Sequence, residues 1–160
     1  GYSGQELCAR HYLTERGIFM THPTDAQLVQ QAIEARTHSY APYSQFNVGA
    51  ALLTKDGRVY CGANIENAAF GPTNCAERTA FFTAVYAGER EFSAIAIAGG
   101  KAGALPKDAP ICAPCGVCRQ VMAEFCTPDF RILLARGDGT WEETTLAALL
   151  PLSFTPNDLK

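Results

Sequence analysis

A chain of 160 residues is long enough to form one domain with a sizeable core. Its apolar share of 48% and charged share of 18% are those of an ordinary soluble globular protein, and no stretch approaches the apolar length that crosses a bilayer. The formal net charge of -3 disfavours a nucleic-acid polymer as main partner, because phosphate neutralisation needs an excess of Lys and Arg; a small molecule fits better.

The seven cysteines are odd in number, and the last four are bunched from Cys112 to Cys126 with no charged-then-apolar leader ahead of them. A secreted disulfide framework is therefore disfavoured, and reduced thiols in the cytoplasm are the expectation. Residues 1–19 open with Gly, carry no clear period and read as an N-terminal extension or cloning remnant. Met20 reads as a natural start, and residues 20–160 read as a single domain without repeats or linkers.

Asp25 is a good N-cap for the helical run AQLVQQAIEAR. The runs FNVGAALLT (46–54) and RVYCGANI (58–65) flank Lys55-Asp56-Gly57, a strong signal for an antiparallel hairpin. CAERTAFFTAVYAG (75–88) has the length and period of a helix ended by Gly88, and SAIAIAGG (93–100) reads as a buried strand. A loop covers 99–113, and Pro114 stands where a helix start tolerates it, so CGVCRQVMAEF should be helical. The strand RILLA (131–135), a Gly137-Asp138-Gly139 turn, a strand near Trp141 and a short LAALL helix follow. This order predicts an α/β fold with a mixed sheet of about five strands and helices on both faces, a three-layer α/β/α sandwich.

Cys115 and Cys118 stand at i and i+3 at a predicted helix start, where both thiols can point to one side. Unpaired N–H groups and the helix dipole favour the thiolate that zinc requires, and Cys75 opens another predicted helix. Three thiolates from two helix starts leave one tetrahedral position open, the mark of catalytic rather than structural zinc. Three alternatives stay open: a closed site of Cys112, Cys115, Cys118 and Cys126, an iron–sulfur centre, and a redox CxxC. Glu77, two residues after Cys75, is the candidate proton carrier, although i and i+2 do not share a helix face. Taken alone it reads more readily as a solvated first-turn glutamate favoured by the helix dipole.

The segments Asn74-Cys75-Ala76-Glu77-Arg78-Thr79-Ala80 and Pro114-Cys115-Gly116-Val117-Cys118-Arg119-Gln120-Val121 resemble the two signature segments of the small homotetrameric zinc-dependent cytidine deaminases. YAPYSQFNVGAALL, the NIENA segment and the Phe-containing tail extend the resemblance from Met20 onward. It implies one Zn2+ per subunit on Cys75, Cys115 and Cys118, with water or hydroxide in the fourth place, and Glu77 as catalytic acid and base. Arg78 would hydrogen-bond the ligand thiolates and offset their charge. The Ala76 backbone would read the base edge, and Asn64 and Glu66 would bond the sugar hydroxyls. Phe46 would flank the base or sugar, and Phe154 would stack on the base in a neighbouring subunit, which implies a homotetramer.

The implied activity is hydrolytic deamination of cytidine and 2'-deoxycytidine to the uracil nucleosides and ammonia, in cytoplasmic pyrimidine salvage. Departures are small: Val117 replaces the usual alanine, Gln45 stands where lysine is frequent, and Phe70 stands where tyrosine is frequent. A blasticidin-type deaminase is the nearest rival. A nucleotide substrate is disfavoured because Cys75 replaces the usual first-ligand histidine and few cations are available for a phosphate.

Overall fold

The computed structural model describes residues 22–160, so the reading of residues 1–19 lies outside the described residues. Its elements in chain order are α1 (Asp25–Ala35), β1 (Phe46–Thr54), β2 (Val59–Ala63), α2 (Ala76–Tyr86) and β3 (Phe92–Lys101). They continue with α3 (Gly116–Phe125), β4 (Arg131–Ala135), β5 (Trp141–Thr145) and α4 (Leu146–Leu149). The sheet runs β2-β1-β3-β4-β5, antiparallel at every pairing except the parallel β3/β4 pair. The mixed five-stranded, three-layer sandwich is therefore present.

Alternation along β3 divides the core in two. Ile95 and Ile97 face α2, α3 and α4 with Ala80, Phe81, Met122 and Leu146, while Ala94, Ala96 and Ala98 face α1 with Leu28, Val29 and Ala32. Small side chains on the second face let α1 approach the sheet closely. A Cβ at Gly49 would stand 2.2 Å from Ala32 O, so the glycine is required by contact between backbones. Gly62 does the same for α2 on the other face, where a Cβ would stand 2.3 Å from Ala76 O. Under α2, fully buried Phe81 packs edge-on to Phe92 at 5.1 Å and stacks with Phe125 at 6.0 Å. These contacts hold the bodies of α2 and α3 together, so their N-terminal ends are set by the core.

Two local expectations are corrected. Thr24, not Asp25, caps α1: its hydroxyl accepts from Gln27 N and the Gln27 side chain accepts from Thr24 N, a reciprocal capping box. Asp25 is then free to pair with Arg131 on β4. Cys61, on edge strand β2, is disulfide-bonded and departs from the all-thiol reading; Cys75, Cys112, Cys115, Cys118 and Cys126 are free thiols. Among the described residues no helix is long and apolar enough to cross a membrane.

Candidate metal centre

Cys75 and Cys115 are themselves the N-caps of α2 and α3, with extended backbones (φ -75°, ψ 157° and φ -67°, ψ 166°). No side chain caps α2, so its first N–H groups point out of the helix start. At α3 the Cys115 sulfur accepts from Cys118 N at 3.4 Å. Pro114, fully buried ahead of this cap, offers its carbonyl to Arg119 Nε at 2.8 Å and fixes the entry into α3.

The three predicted ligands converge. Cys75 Sγ and Cys115 Sγ are 3.7 Å apart, Cys115 Sγ and Cys118 Sγ 3.4 Å, and all three sulfurs lie within 4.8 Å of one another. Thiolates about 2.3 Å from one tetrahedral zinc stand about 3.8 Å apart, so the donor set fits zinc. It is the one group of three or more potential ligands gathered among the described residues, and Cys112 and Cys126 stay outside it. The closed four-cysteine and iron–sulfur alternatives therefore lack their further ligand, and a fourth position remains open.

Glu77 is buried, with Oε2 3.6 Å from Cys118 Sγ. The helix-face objection does not apply, because Cys75 is a cap with extended dihedrals and only Glu77 lies on the helix. Burial pushes the Glu77 carboxyl up to about 6, reinforced by the negative charge of Cys75. Cys75 is drawn down to about 5, first by hydrogen bonding with Cys118 and then with Arg78 and Cys115 against the opposing cost of burial. Cys118 is pushed the other way, well above the usual thiol range, because it shares its proton with Cys75. One sulfur in the cluster thus ionises readily even as a thiol site. Arg78 Nη2 stands 3.4 Å from Cys75 Sγ, and its buried Nε has no hydrogen-bond partner. A cation therefore stands against the Cys75 sulfur.

The NIEN segment lies beside this centre. Ile65 and Asn74 exchange both backbone hydrogen bonds at 2.9 Å, which places Asn64 and Glu66 next to the strand leading into Cys75. Both side chains turn toward the start of β1, as alternation predicts. Asn64 Nδ2 donates to Phe46 O and Asn64 Oδ1 accepts from Val48 N, each at 2.8 Å. The amide stands in for strand β2, which ends at Ala63, and keeps one further N–H and one lone pair for another partner. Glu66 accepts from Tyr43 N at 2.8 Å and Ser44 N at 3.2 Å, which holds its carboxyl below the ordinary range.

Phe46, the first residue of β1, is 39% exposed. Its ring and the Cys112 sulfur share the space over Gly99, where a Cβ would lie 2.5 Å from Cys112 Sγ and 3.2 Å from Phe46 Cε1. Cys112 is in turn an electrostatic neighbour of Glu77 and Cys75. Phe154 is 58% exposed on this chain, its carbonyl accepting from Gln120 Nε2 on α3 at 2.9 Å. Val117, between the two α3 ligands, is exposed and disturbs no packing. Buried Arg36 escaped the sequence reading; a charged residue at the polar end of a helix carries no local signal that it turns inward.

Residues 22–134 match the family model described as the cytidine and deoxycytidylate deaminase zinc-binding region. The chain is 50% identical over 132 residues to a cytidine deaminase of Halalkalibacterium halodurans, covering 82% of this chain and 95% of that protein. It is also 50% identical over 133 residues to a cytidine deaminase of Sporosarcina psychrophila, covering 83% and 93%. The crystal structure of a cytidine deaminase from Burkholderia pseudomallei superposes with a TM-score of 0.74 at 47% identity, covering 82% of this chain and 100% of that one.

Proposed function

The chain belongs to the cytidine and deoxycytidylate deaminase zinc-binding family, and from the site it builds we propose that it hydrolyses the 4-amino group of cytidine and 2'-deoxycytidine, yielding the uracil nucleosides and ammonia. The observation that carries this reading is the buried Glu77 carboxylate, 3.6 Å from Cys118 Sγ, beside a cluster of three thiols that leaves one tetrahedral position open.

Cys75, Cys115 and Cys118 hold the zinc. When bound, zinc acidifies the attacking water so that hydroxide is available near neutral pH. Glu77 takes a proton from that water as its oxygen bonds C4 of the cytosine ring, and delivers it to N3. It then carries the remaining proton to the 4-amino group. The C4–N bond breaks, ammonia leaves, and the C4 carbonyl of the uracil base remains. A carboxyl raised to about 6 by burial is suited to accept and release protons near neutrality. Arg78 offsets the charge of three thiolates, which would otherwise make the metal a poorer acid.

The Ala76 N–H, at the uncapped start of α2, reads the base edge. Asn64 and Glu66 contribute their remaining hydrogen-bonding capacity to the sugar hydroxyls, and Phe46 supplies an apolar wall. Phe154 is contributed to a neighbouring subunit in a homotetramer. Its exposure, with that of Phe70, Tyr86 and Leu152, supports a buried role between subunits. The setting is cytoplasmic pyrimidine salvage, in which the uracil nucleosides return to use.

Absorbance loss on deamination, followed across cytidine, deoxycytidine, dCMP and blasticidin S, tests the reading. Turnover of the two nucleosides, with dCMP and blasticidin S poor, is expected; blasticidin S as the best substrate would overturn it.

A further inference from the structure

Arg36 ends α1 at the opening of a 3-10 turn (Arg36–His38), and it is 4% exposed. Among the described residues it forms no salt bridge. Its guanidinium is spent on three backbone carbonyls: Nε donates to Asn47 O at 3.0 Å, and Nη2 donates to Lys101 O at 2.9 Å and to Gly100 O at 3.3 Å. Burial lowers its pKa, opposed by the nearby Cys112, and its hydrogen-bonding partners are backbone carbonyls. Such a group is costly, so its placement is informative.

The three carbonyls lie where β1 begins and β3 ends, in the register Phe46↔Lys101 and Asn47↔Gly100. The backbone of Arg36 is itself fixed there, because its amide nitrogen lies 2.5 Å from where a Cβ on Gly49 would stand. On the same short stretch, the Asn64 amide grips Phe46 O and Val48 N. Phe46 therefore projects from a strand end clamped by two side chains, while the adjoining end of β3 presents Gly99 to the Phe46 ring and Cys112. The end of β3 and the start of β1, which bring Phe46 and Gly99 together, are both tied to one guanidinium.

We propose that Arg36 is a positioning residue for the deamination: by holding the carbonyls of Asn47, Gly100 and Lys101 together it fixes the strand ends from which Phe46 meets the substrate. This rests on the reading of Phe46 as a substrate contact. A planar guanidinium can satisfy three carbonyls in different directions from one fixed position; an ammonium on a shorter reach cannot keep all three.

Arg36→Met, Arg36→Lys, Phe46→Ala and the double variant Arg36→Met/Phe46→Ala, all as zinc-loaded full chains, test it by steady-state kinetics with cytidine. Arg36→Met is expected to raise KM about five- to tenfold with kcat and zinc content retained, the scale of losing a positioning hydrogen bond, and Arg36→Lys is expected to rescue part of it. Phe46→Ala is expected to raise KM as well, and adding Arg36→Met to it is expected to raise KM no further. Should Arg36→Met not fold, Arg36→Lys takes its place in the cycle.

A raised KM in Phe46→Ala with no change in either Arg36 variant would overturn the proposal and leave the Phe46 reading standing. Multiplying effects in the double variant, or a fall in kcat and zinc content without a change in KM, would overturn it too. An unchanged KM in Phe46→Ala would remove the Phe46 reading and the proposal together.

Discussion

Gly62 on β2 and Ala76 at the start of α2 touch backbone to backbone: a Cβ on Gly62 would fall 2.3 Å from Ala76 O and 2.5 Å from Ala80 N. The strand therefore sets the height of the helix start that carries Cys75 and Glu77. Gly62→Ala is expected to push α2 off the sheet, cost about 1–3 kcal/mol of stability and lower zinc occupancy. Gly116→Ala on α3, which meets nothing within 4 Å, is the matched control and should be neutral on both measures. Thermal unfolding with metal content per chain reads the difference, and equal behaviour of the two variants would refute the close-packing account.

Arg78 holds Cys75 Sγ at 3.4 Å and has no other assigned use for its buried Nε. Arg78→Gln removes the charge with little loss of volume. Activity or metal affinity is expected to fall roughly 10- to 100-fold, as for other groups that orient metal ligands. Metal titration and kcat separate the two effects; wild-type values for both would return Arg78 to the status of a surface arginine.

Phe154 is expected to act on a neighbouring subunit. Phe154→Ala should therefore weaken cytidine binding, seen as a raised KM, without releasing zinc, and analytical ultracentrifugation should report the tetramer in wild type. Unchanged binding would remove the trans-subunit role.

Asp56 lies in the β1/β2 turn, where hydrogen bonds from Arg58 and Thr54 pull its carboxyl from 3.8 down to about 2. A depressed carboxyl stabilises the fold above its unfolded value, and that contribution disappears as pH falls from about 4 toward 2. The Asp56 side chain is 54% exposed, so the effect should stay at or below about 1 kcal/mol. Urea titrations of wild type and Asp56→Asn at pH 7 and pH 2.5 should differ more at the first than at the second; a constant difference would contradict this assignment.

The element order was legible because this chain's signals are local. FNVGAALLT carries β1 between Phe46 and Thr54, and Asp56-Gly57 turns it into β2. The cluster of three thiols was legible because two of the three are helix caps, a role tied to sequence position. Asn64 was harder, since its partners Phe46 O and Val48 N lie 18 and 16 residues away on another strand. Thr24 outcompeted Asp25 as the cap because a reciprocal bond with Gln27 was available one residue earlier. Arg36 was illegible: burying a lone cation is unfavourable unless tertiary structure collects carbonyls around it, and those of Gly100 and Lys101 are 64 and 65 residues away.

The central claim is that Glu77 moves the protons and the three cysteines hold the metal. Glu77→Gln keeps the size of the side chain and removes its ability to cycle a proton. Zinc per chain and cytidine turnover should be measured together on that variant. Zinc near one per chain with turnover reduced by at least roughly a hundred- to ten-thousand-fold is the expected result. Zinc retained with wild-type turnover would contradict the account.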